Sequence, residues 1–207
     1  MSLINQISIW VTFQLSAIFI VGTPLILLIW SIRVRNKVIE KLLKNFWKIS
    51  ILYFISLILF IGKQDFALLI MNISTILMSI SVWFWSDINS ELSEYKIFHP
   101  LTITAKVWRW ALTIVSTSFL ILSLNNFSCN FYLEYNKCSS WIEPSKNLYL
   151  LINKLFRFLF GGNFSEPVAK FIGLFALLIY TLGLIQWLII KLPKTGRNSD
   201  FSNFGEN

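Results

Sequence analysis

Ionisable side chains are scarce in this sequence, and most of those present stand beside its long apolar runs. Asp, Glu, Lys and Arg together make up 14% of the residues, and His99 is the one histidine. Proton relays, voltage sensors and most ion-coupled transporters require charged groups inside their membrane-spanning helices. Because we expect none near the centre of a span here, the sequence disfavours these functions.

Motifs that carry catalysis or bind cofactors are also lacking. The sequence contains no GxSxG, Walker A, HExxH or paired-aspartate prenyltransferase pattern. A single histidine supplies neither a bis-histidine haem site nor a histidine-based zinc site, although His99 remains a candidate axial ligand to one chlorophyll or haem. We therefore assign no metal site and no cofactor.

Apolar side chains, in contrast, are abundant: they make up 56% of the residues, and the mean hydropathy is +0.66. Several runs reach the roughly 18–20 residues that a helix needs to cross the hydrocarbon layer of a membrane. The alternating segments of about ten residues that build a membrane barrel do not occur. The sequence predicts an all-α, polytopic membrane protein.

The net charge of +8 would suit a nucleic-acid ligand, but most of the basic residues lie beside apolar segments. That placement is typical of membrane orientation, because cytoplasmic loops carry an excess of Lys and Arg. We expect membrane lipid as the surroundings, a membrane-protein complex as the partner, and no nucleic acid.

Five apolar runs predict five transmembrane helices in one domain, residues 1–190. Their expected ranges are about Ile7 to Ile32, Phe46 to Gly62, Phe66 to Ser86, Val107 to Leu124 and Pro167 to Ile190. The first run lacks the positive leader of a cleaved secretory signal, so we interpret it as a retained span, kinked at Pro24. Residues 191–207 are basic and then polar, which predicts a disordered cytoplasmic tail.

The largest basic block predicts the orientation of the spans. It follows the first run, and against one acid, Glu40, it contains Arg33, Arg35, Lys37, Lys41, Lys44 and Lys48. A loop of this composition belongs in the cytoplasm, which places the N-terminus outside and the C-terminus inside. On the outer side, the segment from Lys146 to Phe160 separates cations from apolar residues at helical spacing. It predicts an amphipathic helix lying in the membrane interface.

The polar stretch between the third and fourth runs is the strongest candidate for a site. Asp87, Glu91 and Glu94 would share one face if the third helix continues past the membrane. These three acids could then bind a divalent metal or a substrate at the cytoplasmic face. Alternatively, the acids form a solvated helix end in which Asp87 pairs with Arg109, in the first turn of the fourth helix.

Four tryptophans flank the same stretch: Trp83, Trp85, Trp108 and Trp110. Tryptophan is enriched where a membrane meets water, so these residues predict an aromatic belt at the level of the headgroups. An aromatic surface for a pigment, a quinone or a partner helix is the alternative interpretation.

Two cysteines, Cys129 and Cys138, fall in the expected outer segment, Asn125 to Pro167. An oxidising compartment would favour a disulfide between them. Two free thiols are an alternative; a redox-active pair is a weaker one, because such pairs more usually have the CxxC spacing.

Four parts of the chain carry a family resemblance: Val82 to Glu91, Ala105 to Thr113, the cysteine pair followed by Trp141 to Pro144, and Gly173 to Tyr180. Together they resemble a family of small integral membrane proteins of unassigned function, known mainly from cyanobacteria. The resemblance covers nearly the whole chain and implies a thylakoid or plasma membrane setting. It implies no activity.

Two classes of function remain. We predict a non-catalytic accessory or assembly protein of a membrane complex, photosynthetic or respiratory, because intramembrane chemistry is sparse and the spans carry small residues suited to helix contacts. The alternative is an enzyme or carrier acting on a lipid, quinone or pigment headgroup at the cytoplasmic face. It would use Asp87, Asn89, Glu91 and Arg109.

Reporter fusions test the predicted topology. Fusions at Asn45 and Asn203 should give cytoplasmic signals and a fusion at Asn136 an external signal, because the basic block holds the first loop inside. A cytoplasmic signal at Asn136 would contradict the predicted orientation.

Overall fold

The computed structural model describes residues 3–84, 100–125, 138–186 and 189, and every regular element among them is helical. In chain order these are α1 (Leu3–Ser16), a π-helical turn (Ala17–Gly22), α2 (Thr23–Val34), α3 (Lys37–Ile61), α4 (Ala67–Phe84), α5 (Pro100–Leu124), α6 (Ser139–Phe160) and α7 (Glu166–Gln186). Five stretches are long and apolar enough to cross a membrane: Ile7–Val34, α3, α4, α5 and α7. The prediction of an all-helical chain with five candidate spans is confirmed.

The first span is one helical stretch with a widened turn before Pro24. Proline has no N–H and removes one helical hydrogen bond at its own position. The π-helical turn, residues 17–22, ends with the Thr23 N–H donating to a carbonyl five residues earlier. In that register the Phe19 carbonyl would face Pro24, which has no N–H to donate. The Phe19 carbonyl instead accepts a hydrogen bond from Trp108 Nε1 at 2.8 Å. The disturbance expected at Pro24 is thus a π-helical turn bridged by α5.

Two spans begin earlier than the sequence predicted. α3 starts at Lys37 instead of Phe46, and α5 starts at Pro100 instead of Val107. The predicted starts followed apolarity alone, whereas the first turns of both helices are amphipathic and bury only their inner side. The buried apolar side chains on those turns are Ile39, Leu42, Leu43, Leu101 and Ala105.

The link between α2 and α3 consists of Arg35 and Asn36. The prediction of a long basic loop between the first two spans is therefore wrong. Arg35 has a φ of 57°, the left-handed conformation in which many helices end. Asn36 then caps α3, since its side-chain oxygen accepts a hydrogen bond from the Ile39 N–H at 3.2 Å. Most of the basic block therefore lies on a helix.

A tight turn between α3 and α4 makes these two helices a hairpin with an extensive contact. Lys63, in this turn, has a φ of 50° and forms an ion pair with Glu166 at the start of α7, with 2.7 Å between Nζ and Oε2. On its other side α4 packs against α5, where Asn72 Nδ2 donates to Ser123 Oγ at 2.6 Å. The hairpin and α5 thus form the body of the bundle.

α6 packs on the end of the bundle that holds the α3–α4 turn and the start of α7, and it has three distinct sides. One side packs against the small core around Ile61 and Phe164, through Leu148, Tyr149, Ile152 and Phe156. A second side is apolar and exposed, and carries Leu151, Leu155, Phe158 and Leu159. The third side carries Lys146, Lys154 and Arg157, which are exposed. The amphipathic pattern predicted from Lys146 onward is present on a helix that begins at Ser139.

α7 packs on α3 through small residues. Gly62, just after α3, lies so close to α7 that a Cβ built on it would stand 2.8 Å from the Lys170 backbone N and Cα. A Cβ on Gly173 would stand 2.8 Å from a leucine side chain of α3. Ala169 is fully buried in the same contact. The close approach of the two helices therefore depends on the absence of side-chain atoms at Gly62 and Gly173.

Replacing Gly62 by Ala should destabilise the protein by about 1–3 kcal/mol, because the added methyl group meets backbone atoms that cannot rotate away. Gly183→Ala, on α7 itself, is the control. Nothing lies within 4 Å of a Cβ at Gly183, so its substitution should be neutral or slightly stabilising. Thermal unfolding of the detergent-solubilised variants measures both, and an unchanged midpoint for Gly62→Ala would rule out the tight α3–α7 contact.

Candidate functional site

The candidate site is built around Arg109, a residue of α5 that lies against the last turn of α4. Its side chain is 4% exposed, and its Nη2 donates a hydrogen bond to the Val82 carbonyl at 2.8 Å. The structure describes α4 as far as Phe84, so the hydrogen bond and the positive charge of Arg109 act on the last described turn of this helix.

Trp83 covers one face of the guanidinium. The Arg109 Cζ atom lies 4.3 Å from the centroid of the Trp83 ring, a cation–π contact worth about 0.5–2 kcal/mol. The indole Nε1 donates to Thr113 Oγ1 at 3.0 Å, and the Thr113 hydroxyl donates to the Arg109 carbonyl at 2.7 Å. Trp110 meets the Trp83 ring edge to face, with 5.1 Å between centroids. We call Val82, Trp83, Arg109, Trp110 and Thr113 the arginine–tryptophan cluster.

The cluster joins α4 and α5 and leaves aromatic side chains exposed nearby. Trp110 is 61% exposed, and Phe84 at the last described position of α4 is 77% exposed. The guanidinium itself is buried, with the Trp83 ring over one face. Arginine stays protonated at physiological pH, so it can position an anionic or aromatic group and stabilise charge, but it does not transfer protons. The geometry therefore suits holding and positioning.

Trp108, which precedes Arg109, belongs to the interior of the bundle. It is 1% exposed, and its ring meets Phe46 edge to face with 5.0 Å between centroids. Its indole N–H donates a hydrogen bond to the Phe19 carbonyl. Trp108 is thus not available to an aromatic belt at the membrane surface. The belt stays a prediction for Trp83 and Trp110, whose side chains are exposed.

Several predicted site residues lie outside the described part of the chain. These are Trp85, Asp87, Asn89, Glu91, His99 and Cys129. The pairing of Asp87 with Arg109 therefore stays a prediction. Cys138 is buried just before α6 begins. Its disulfide with Cys129 also stays a prediction.

The position of Arg109 corrects one expectation. It lies in the third turn of α5 and not in the first, because α5 begins at Pro100. Its side chain is buried within a candidate span. The sequence did carry a signal for the early start. Proline is favoured at the first position of a helix, and a helical stripe of buried residues follows it: Leu101, Ala105, Trp108 and Leu112.

An open groove of about 460 Å³ runs between α1 and α5. It is lined by Ile7, Ser8, Val11, Thr12, Ser118, Ile121 and Leu122. Two of its hydroxyl groups are turned to their own helices: Thr12 donates to the Ser8 carbonyl at 2.7 Å, and Ser118 donates to the Ile114 carbonyl at 2.9 Å. The groove therefore suits an acyl chain or a neighbouring helix better than a polar substrate.

Within the described ranges, no group of three or more His, Cys, Asp or Glu is arranged to hold a metal ion. The arginine–tryptophan cluster contains none of these residue types. It is thus a cationic and aromatic site, without the carboxylate or imidazole ligands that metal ions prefer.

A family model described as "Protein of unknown function (DUF3177)" matches residues 6–200. The chain belongs to this family. The match covers all five candidate spans and both cysteines, and it agrees with the resemblance to a family of unassigned function. No curated protein and no solved structure matches the chain.

Replacing Arg109 by Ala should lower the free energy of unfolding by about 2–4 kcal/mol, because the Val82 carbonyl loses a donor and Trp83 loses a cation. Arg109→Lys should recover part of the loss, since lysine keeps the charge but lacks the planar guanidinium. Denaturant unfolding in micelles measures the difference. Lys106→Gln, on the preceding turn of α5, is the control and should change little. If Arg109→Ala were as stable as the unmodified protein, Arg109 would not hold α4 and α5 together.

Proposed function

We propose that the protein is a non-catalytic integral membrane accessory or assembly protein of a membrane complex, with a photosynthetic complex as the first candidate. The observation that carries this proposal is the outer side of α7. α7 sits at the edge of the bundle with one face on α3 and the opposite face unoccupied by the rest of the described chain. A helix placed in this way offers a ready contact for a second membrane protein.

The two faces of α7 differ in character. The inner face carries small residues together with Leu177 and Tyr180, and its small residues are Ala169, Gly173 and Ala176. The outer face is a stripe at intervals of four, three and four residues, which we call the outer stripe: Phe171, Phe175, Leu178 and Leu182. Its first two rings are stacked, with an interplanar angle of 5° and 6.1 Å between centroids. Phe171 is 69% exposed. Anchors at this spacing are the pattern by which one helix binds in the groove of another.

The use of polar groups inside the bundle supports a structural role. Arg109 donates a hydrogen bond to a carbonyl of α4, Trp108 donates one to a carbonyl of the first span, and Asn72 donates one to a hydroxyl of α5. Each of these hydrogen bonds joins two helices. Side chains committed to such contacts stabilise a rigid bundle, on whose surface a partner can assemble.

We further propose the setting of the protein. The N-terminus lies outside and the C-terminus inside, in the thylakoid or plasma membrane of a cyanobacterium, and Cys129 and Cys138 are paired on the outer side. α6 lies in the outer interface. This placement is supported by its three sides, since one faces the bundle, an apolar one can enter the acyl region, and a cationic one can face the headgroups.

The alternative is a headgroup enzyme or carrier that uses the arginine–tryptophan cluster together with Asp87, Asn89 and Glu91. The exposed aromatic side chains of Trp110 and Phe84 favour it, because stacked rings can hold a quinone or pigment ring. Such an activity needs a ligand that purifies with the protein, which distinguishes the alternative from an assembly role.

A pull-down of the tagged full-length protein in mild detergent tests the proposed function. We expect specific membrane-protein subunits to be identified by mass spectrometry of the eluate. Phe171→Ala combined with Phe175→Ala should lose at least about 80% of these subunits while the protein accumulates normally, because truncating two central anchors removes most of the contact energy. Ile26→Ala combined with Ile29→Ala alters two exposed apolar residues on α2 and is the matched control.

The proposed function is overturned if the unmodified protein purifies alone, or if the phenylalanine variant keeps its partners. An absorption spectrum of the same eluate tests the alternative. A bound pigment or quinone that is lost in Trp110→Ala would favour the headgroup site.

A further inference from the structure

Four lysines form one exposed face at the beginning of α3. Lys37, Lys41, Lys44 and Lys48 follow one another at intervals of four, three and four residues, which places them within about 60° around the helix. All four are exposed. We call this set the lysine face. It could be recognised only once the expected basic loop proved to be helical.

The lysine face stands on a rigid support. The opposite side of the same turns is buried and consists of Ile39, Leu42, Leu43 and Phe46. The side chain of Asn36 caps the helix at its first turn. The backbone that carries the four cations is therefore held in place before any ligand arrives, which lowers the entropic cost of binding.

Little of this positive charge is neutralised within the described chain. Lys44 forms an ion pair with Glu40, with 2.5 Å between Nζ and Oε1. Lys37, Lys41 and Lys48 have no acidic partner among the described residues. The face thus offers a row of cations to a negatively charged ligand.

The depth of the lysine face follows from its neighbours. The described residues of α4 make a candidate span of 18 residues, about 27 Å long, which is close to the thickness of the hydrocarbon layer. Arg109 contacts the last described turn of α4, and Trp108 beside it contacts Phe46 of α3. Phe46 is therefore near the hydrocarbon boundary. Since a helix rises by about 1.5 Å per residue, Lys44 and Lys41 stand roughly 3 and 7.5 Å beyond that boundary, and Lys48 can extend its chain toward it.

That depth is the layer of the lipid headgroups. We propose that the lysine face binds the headgroups of anionic phospholipids in the adjacent leaflet. Each ammonium group is a mobile point charge with three donors, which suits the phosphate oxygens of neighbouring lipids. Lys37 stands farther out and adds attraction within the screening length of the surface. An acidic protein is a less suitable occupant, because only Lys37 projects beyond the headgroups.

The test uses the purified full-length protein in phosphatidylcholine vesicles that contain a trace of spin-labelled lipid. The fraction of label immobilised by the protein is compared for phosphatidylglycerol and phosphatidylcholine. We expect the unmodified protein to prefer phosphatidylglycerol by about threefold or more, as a cluster of surface lysines does. Replacing Lys41, Lys44 and Lys48 by Gln should bring the preference close to one.

Two further variants separate this site from general effects of charge. Replacing the same three lysines by Arg should keep the preference. Replacing Lys63, Lys146 and Lys170 by Gln, at the other end of the bundle, removes the same amount of positive charge. This variant should keep most of the preference for phosphatidylglycerol. The proposal is overturned if the unmodified protein shows no preference, if the Gln variant of the lysine face keeps it, or if both Gln variants lose it equally. Unfolding midpoints confirm that the variants are folded, and because this binding does not involve α7, the result is independent of the pull-down.

Discussion

The polar groups inside a membrane-spanning bundle must find their partners within the protein, because hydrocarbon offers none. In the described helices, many buried hydroxyls meet this constraint by donating to carbonyls three or four residues earlier in the same helix, and other polar groups do so by contacts between spans. Arg109 donates a hydrogen bond to the Val82 carbonyl in the last described turn of α4, and Trp108 donates one to the Phe19 carbonyl of the first span. Asn72 of α4 donates one to the Ser123 hydroxyl of α5. The first span and α4 are thereby attached to α5.

The sequence predicted those features of the fold that depend on the membrane alone. Apolar runs of sufficient length indicated five spans, and the helical spacing after Lys146 indicated an amphipathic helix. The starts of α3 and α5 could not be predicted in this way, because apolarity marks where a helix enters hydrocarbon and not where it begins. Above that level the helices continue as amphipathic turns, whose inner sides are buried against the bundle.

The candidate site was harder to foresee for a related reason. Trp83, Trp108 and Trp110 look alike in the sequence, as aromatic residues near the ends of two spans. Their roles diverge because consecutive residues of a helix point in directions about 100° apart. Trp108 is therefore buried while Trp110 faces outward, and Arg109 between them reaches α4. Where α5 begins determines which of the three consecutive residues is buried, which one reaches α4 and which one faces outward. In the sequence, the helical spacing of apolar residues indicated the buried side: Leu101, Ala105, Trp108 and Leu112.

The widened turn before Pro24 has a consequence for how this family can vary. Pro24 and Trp108 stand far apart in the chain, but they are linked through the Phe19 carbonyl. Pro24 has no N–H to donate to this carbonyl, and the indole N–H of Trp108 donates to it instead. A chain that replaced Pro24 would regain a backbone N–H, and the indole would then share its acceptor. A chain that replaced Trp108 but kept Pro24 would leave a carbonyl without a donor in hydrocarbon, at a cost of about 1–3 kcal/mol. The two positions should therefore be substituted together, so that relatives without the proline also tolerate a smaller, purely apolar residue where Trp108 stands.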